Sequence, residues 1–161
     1  MTNSIQPEKI LIRKVTRADT RTVYDLAMDP VVRKNSFSSS AISLPQHITW
    51  FNRKLHDPSG TFLIAEYEGR FAGQVRFDCA DGVAIIGISV TAQFRGRKLA
   101  LPLLQLAIKH YLSLHPEIMR IEAFIKPDNT PSIKLFEKAG FQFEATVVVR
   151  EQQAKKYIFS V

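Results

Sequence analysis

Arg95, Gly96, Arg97 and Lys98 stand together between an apolar run ending at Val90 and a helical pattern that begins near Arg97. Cations and a glycine at a helix start are the residue types that hold an anion. The first N–H groups of a helix have no intrahelical acceptor, the positive end of its dipole lies there, and glycine lets backbone approach a phosphate. Read this way, Gln93 through Arg95, Gly96, Arg97, Lys98 and Leu99 to Ala100 forms a loop and helix start that grips a pyrophosphate. An ordinary strand-to-helix turn with solvated basic side chains would have the same composition, so the loop needs support from elsewhere in the chain.

Other chemistries find few residues. One cysteine, Cys79, excludes an internal disulfide framework and a CxxC metal site, and no His or acidic cluster has zinc-ligand spacing, so no metal is expected. Lys and Arg outnumber Asp and Glu by 22 to 15, a formal charge of +7 that favours anionic partners. The basic residues are dispersed and form no continuous face with exposed aromatics, which argues against nucleic acid and leaves a phosphorylated small molecule. The apolar runs at 83–90 and 99–104 are too short to span a bilayer, and no basic-then-apolar leader opens the chain at Met1 to Ser4. A cytoplasmic protein that does not contact membranes is expected. A homodimer is compatible with the sequence, which does not specify oligomeric state.

The elements that must position these residues follow from periodicity. With 161 residues, 45% of them hydrophobic, the chain has the make-up of a single domain spanning 1–161. Residues 10–15 read as a strand, and 20–28 as a helix stopped at Asp29-Pro30. Residues 36–43 form a serine-rich loop, and a helix opens at Leu44-Pro45 and ends at Asp57-Pro58-Ser59-Gly60. Strands at 61–67, 71–77 and 83–90 have short connections and form an antiparallel meander. Residues 99–114 carry the strongest helical pattern. A strand at 118–125, a helix at 130–139 ended by Gly140, and paired strands at 143–149 and 156–160 complete an α+β domain with a mixed sheet.

Two segments in this order resemble the GNAT acyltransferases. Gln93, Gly96 and Ala100 match the family's cofactor motif Q/R-x-x-G-x-G/A, with Lys98 where the family has its second glycine. Residues 129–141, from Asn129-Thr130-Pro131-Ser132 through Phe136 and Lys138 to Gly140-Phe141, resemble the family's second segment beside the pantetheine arm. The resemblance implies the GNAT fold, a central mixed, largely antiparallel sheet flanked by helices. It also implies acetyl-CoA as cofactor and direct attack of an amine on the thioester in a ternary complex. Ile88, Ser89 and Val90 then end the third meander strand, where the family carries a β-bulge, and a freed N–H of Val90 would polarise the thioester carbonyl. Asn129, Ser132, Phe136 and Lys138 would line the cofactor. Relatives often carry a leaving-group tyrosine where this chain has Phe136, which leaves Ser132 or water as proton donor, or no acid at all, since a thiol is already a good leaving group. No glutamate lies on 83–90, where several relatives keep a base; His47, Glu66, Asp78 and Glu122 are the alternatives. His47 titrates in the useful range, although a lone helical histidine is more often structural.

For the acceptor, Arg33, Asn35, Ser36, His47 and Trp50, with Gln74, Arg76 and Asp78, resemble the nucleotide-amino-sugar N-acetyltransferases of nonulosonic acid pathways. That resemblance implies a UDP-linked 4-amino deoxy-sugar as substrate. Trp50 would stack on sugar or base, Arg33 and Arg76 would meet diphosphate, and Asn35, Ser36 and Gln74 would bond hydroxyls. The structural alternative has Trp50 and Phe51 packing the helix onto the sheet and Asp78 pairing with Arg76. An acetyltransferase of protein N-termini and a non-catalytic acyl-CoA sensor remain open. An aminoglycoside enzyme would need an acidic pocket, which the charge balance disfavours.

Overall fold

A computed structural model describes residues 4–161; the chain start, Met1 to Asn3, on which part of the leader argument rests, lies outside them. Seven strands form one sheet: β1 (Ile10–Lys14), β2 (Gly60–Tyr67), β3 (Arg70–Ala80), β4 (Val83–Val90), β5 (Arg120–Ile125), β6 (Gln142–Val149) and β7 (Gln152–Ser160). Their spatial order is β1-β2-β3-β4-β5-β7-β6, and only β4 and β5 pair in parallel. The helices are α1 (Thr20–Ala27), α2 (Pro30–Asn35), α3 (Leu44–Leu55), α4 (Ala100–Leu114) and α5 (Thr130–Lys138). Among the described residues no helix is long and apolar enough to cross a membrane.

The strand registers separate two faces, because residues directly opposite one another in a ladder share a side. Leu63, Val75 and Ile88 align on one face, as do Phe77 with Ile86 and Ala84 with Ile121. Here α4 packs through Leu103, Leu104, Ala107, Ile108 and Tyr111, with Tyr111 stacked on Phe77 at 3.9 Å, and α5 adds Phe136. The other face presents Phe62 and Ile64, covered by Val23 of α1 and Phe51 of α3. Gln74, Arg76, Ser89 and Gly87 belong to this second face by the same register. The sheet therefore carries its main core on one side and polar residues under α1 to α3 on the other.

Two expectations need correction. Asp29-Pro30 does stop α1, with Asp29 at φ −55, ψ 131, but it also starts a helix absent from the sequence reading. Pro30 takes the first position of α2 and Asp29 caps it, accepting from the N–H groups of Val31 and Val32 at 3.0 and 3.3 Å. The fourth helix begins at Ala100, so Arg97 and Lys98 precede it, in a turn where Gly96 and Lys98 have φ of 72 and 63.

Candidate active site

β4 and β5 pair only from Val83 to Ile85 and from Arg120 to Glu122. Beyond those residues the two strands splay, and among the described residues Ile86 to Val90 has no strand partner on that side. The N–H of Thr91 donates to Ala72 O, which sets the alternation of the antiparallel β3–β4 ladder. Ser89 and Gly87 therefore bond toward β3, while the N–H groups of Ile88 and Val90 point into the splay. The β-bulge expected at 87–90 is absent: the β3–β4 register runs unbroken from Ala80↔Val83 to Gly73↔Val90. The irregularity lies instead between β2 and β3, at Ala65/Glu66. Divergence of the parallel pair, not a bulge, frees the Val90 donor. Gly73 allows the close approach, since a Cβ there would collide with Ser89 O and lie 3.2 Å from Val90 Cα.

The β4–α4 loop is anchored at both ends by buried apolar residues, Phe94 and Leu99, with the Phe94 ring edge-on to Tyr67 at 5.7 Å. Between these anchors Gly96, Arg97 and Lys98 are exposed. Among the described residues nothing accepts from the N–H groups of Gly96, Lys98, Leu99, Ala100 or Leu101, and α4 starts without a side-chain cap. A Cβ on Gly96 would meet no atom within 4 Å, so the outer side of this turn is open. Alternating positive φ in a run of free N–H groups is an anion-receptive arrangement. Arg95 departs from the expectation of a cofactor contact. Its Nε donates to Val90 O at 3.1 Å, and its Nη2 lies 2.7 Å from Asp29 Oδ1.

α5 begins just beyond the C-terminal end of β5, as α4 begins beyond β4, so both helix starts flank the mouth of the splay. Asn129 caps α5, accepting from Ser132 N–H at 3.3 Å, which leaves its amide N–H₂ available. Ser132 is half-buried and Lys138 exposed. Phe136 is buried, edge-on to Phe141 at 4.9 Å, and supplies neither proton nor hydrogen bond.

On the α1–α3 side, Gln74 is 6% exposed and its Oε1 has no hydrogen-bond partner among the described residues. The guanidinium of Arg76 lies 4.9 Å over Trp50 and 5.8 Å over Phe62, with no carboxylate in ion-pair range among the described residues. Burial pushes its pKa down against the pull of Asp78. Asp78 pairs with Lys54 at 2.8 Å rather than with Arg76.

Other assigned residues prove to be committed to the fold. Arg33 does not face an open diphosphate site: its Nε bonds Ala27 O and its Nη1 bonds Ser38 O at 2.6 Å and Ser40 O at 3.3 Å, stapling the loop after α2. Ser36 Oγ accepts from Ser38 N–H within that loop, and half-buried Asn35 ends α2. His47 is 1% exposed, its Nε2 is 3.0 Å from Thr20 O, and Tyr24, Trp50 and Phe51 surround it. Burial holds its pKa below the usual value. A ring sealed against a carbonyl joins α3 to α1 and has no route to a substrate proton. Glu66 bonds Arg13, which also holds Asp19 through both oxygens. Glu122 is tied to Arg120 and Lys156 at 2.8 and 3.2 Å. Each proposed carboxylate base is thus neutralised by a cation.

Sequence reading missed the residues that hold α2 and the loop after it. Lys126 Nζ donates to Lys34 O at 2.8 Å and Gln152 Nε2 to Phe37 O at 2.7 Å. No local pattern announces such contacts. Asp29-Pro30, by contrast, is a local signal for a helix start as well as for a stop.

Residues 9–142 match the family model of the acetyltransferase (GNAT) domain. The L-amino acid N-acetyltransferase AaaT of Escherichia coli (strain K12) is 27% identical over 146 residues, 86% of each chain. Spermidine N-acetyltransferase from Vibrio cholerae, solved with CoA and spermine, shares the fold at a TM-score of 0.84 and 18% identity, covering 95% of this chain and 96% of that one. AAC(6')-Ib, solved with paromomycin and acetyl-CoA, does so at 0.82 and 22%, covering 94% and 93%. The chain belongs to the GNAT acetyltransferase family. It is an acyltransferase, an N-acetyltransferase that takes its acetyl group from acetyl-CoA. The residues present fit that cosubstrate: free amides and an open glycine stand at the loop, and unpaired N–H groups line the splay.

Proposed function

We propose that the protein acetylates the amine of a small acceptor that also carries an anionic group, and that a UDP-linked 4-amino deoxy-sugar is the acceptor best suited to it. Arg76 carries this reading. A guanidinium held under Trp50 without an anion is an incomplete ion pair, and a phosphate or carboxylate on the acceptor completes it. Gln74, with a buried unpaired Oε1, supplies an acceptor for a sugar hydroxyl or amine N–H. The Val90 N–H polarises the thioester carbonyl from the splay, and Gly96, Arg97, Lys98 and the first amides of α4 hold the pyrophosphate. Arg13, Lys54, Arg120 and Lys156 occupy the carboxylates near the sheet, so the amine loses its proton to water. Ser132, half-buried at the start of α5, would give a hydrogen bond to the departing thiolate, which takes its proton from water.

A second reading is acetylation of an L-amino acid, favoured by the likeness to AaaT; its carboxylate would occupy the Arg76 site. Thiol release separates the readings when UDP-4-amino sugars, L-amino acids, spermidine, an aminoglycoside and a peptide are offered in parallel. Turnover is expected with amines that bear an anion. Arg76→Gln should raise their KM about 10–100-fold, the loss of one charge-assisted contact, without altering affinity for CoA. Turnover of spermidine or the aminoglycoside that ignores Arg76→Gln would overturn the anionic-acceptor assignment. CoA binding without turnover of any amine would favour an acyl-CoA sensor.

A further inference from the structure

Arg95 sits in the loop that should meet the cofactor, and its side chain turns back to the end of β4 and to Asp29. Its Nε holds Val90 O, on the edge of β4 that faces the splay, and its Nη2 contacts Asp29 Oδ1. The two side chains are 29% and 19% exposed, so solvent screens the pair only in part. Asp29 Oδ1 simultaneously caps α2 through Val31 and Val32. From α2, held by Lys126 at Lys34 O, the chain enters the 36–43 loop, which Arg33 and Gln152 fasten at Ser38 and Phe37, with Tyr24 OH bonded to Ile42 O. A continuous run of polar contacts therefore joins the strand end beside the thioester site, the cofactor loop and the roof of the acceptor site.

We propose that the Asp29–Arg95 ion pair is a strut that transmits cofactor binding to the acceptor roof, so that filling the splay orders α2 and the 36–43 loop before the amine arrives. Arg95 and Asp29 are positioning residues that act through Val90 and α2. Removing the charge of the pair uncouples the β4–α4 loop from α2 while leaving both sites formed.

Asp29→Asn tests this cleanly, because asparagine caps a helix as well as aspartate and only the charge is lost. Amide hydrogen exchange is followed with and without saturating CoA. In the unaltered protein CoA should slow exchange across residues 31–43 at least about fivefold. In Asp29→Asn, CoA should bind with affinity within about threefold of the original, while that protection falls to about a third or less of its former value. Arg95→Gln should behave like Asp29→Asn, and the double variant should lose no more than either alone. Equal protection in Asp29→Asn, or no protection by CoA in the unaltered protein, would overturn the strut. So would a more than tenfold loss of CoA affinity in Asp29→Asn, which would place the carboxylate in the cofactor site itself. Because only CoA is used, the outcome is independent of the identity of the acceptor.

Discussion

Lys98 turns through φ 63 at a place where the family keeps glycine, and the backbone explains the preference. A left-handed conformation brings the Cβ of any other residue against its own carbonyl at about 1–2 kcal/mol. Lys98 accepts that strain while exposed beside free amides, which fits a charge kept for phosphate. Gly96, at φ 72, has the same backbone demand and open space outside it. The two positions should therefore respond oppositely. Gly96→Val should lower Tm by about 2–8 °C and weaken CoA at least tenfold, because the bulk stands where phosphate must approach. Lys98→Gly should leave Tm unchanged or slightly raised and weaken CoA only about two- to fivefold, with a shallower salt dependence. Calorimetric titration with CoA at two salt concentrations, beside thermal melts, reads both. A Lys98→Gly variant with unaltered CoA affinity would remove the side chain from phosphate binding.

The splay is a property of elements, and it explains which parts of the site could be read from sequence. Residues 83–90 alternate as a strand whether or not a neighbour pairs with them, so the end of pairing after Ile85 left no local mark. The helix starts were legible because Gly96, Asn129 and the two apolar patterns following them are local signals. The ion pairs and the burial of the candidate bases were illegible for the converse reason: the partners Arg13, Lys54, Lys156 and Thr20 come from distant segments. Gly73 holds the elements in this relation. Because a Cβ there would strike Ser89 O, Gly73→Ala should push β4 away from β3, turn the Val90 N–H out of line and destabilise the fold by about 1–3 kcal/mol. Turnover should fall about 10²-fold or more, with a smaller change in KM for acetyl-CoA, since the pyrophosphate loop lies beyond the displaced strand end. Undiminished turnover by Gly73→Ala would mean that the Val90 donor does not act on the thioester.

At the scale of the whole molecule, stability against acid is set by groups that the fold holds in one charge state. His47 is kept neutral by burial, so its folded pKa lies below the ordinary value of about 6.5. A depressed pKa means that the unfolded chain binds the proton more readily. The contribution of His47 is therefore complete above about pH 6.5 and shrinks as pH falls below it. Asp19 is held low chiefly by Arg13, and Asp29 by Arg95 and two amides against its burial. Their contributions are complete above about pH 4 and are lost as pH falls through the depressed folded values. Protonation of carboxylates also raises a charge that already stands at +7, adding self-repulsion in the same range. Tm should thus be level from pH 7 to 8.5, decline through a shoulder that sets in below about pH 6.5, and drop steeply below about pH 4. His47→Gln retains a donor for Thr20 O but cannot titrate. It should erase the shoulder and keep the steep acid limb, whereas Asp19→Asn should lower Tm throughout the neutral range and flatten that limb. A shoulder that persists in His47→Gln would assign it to another group.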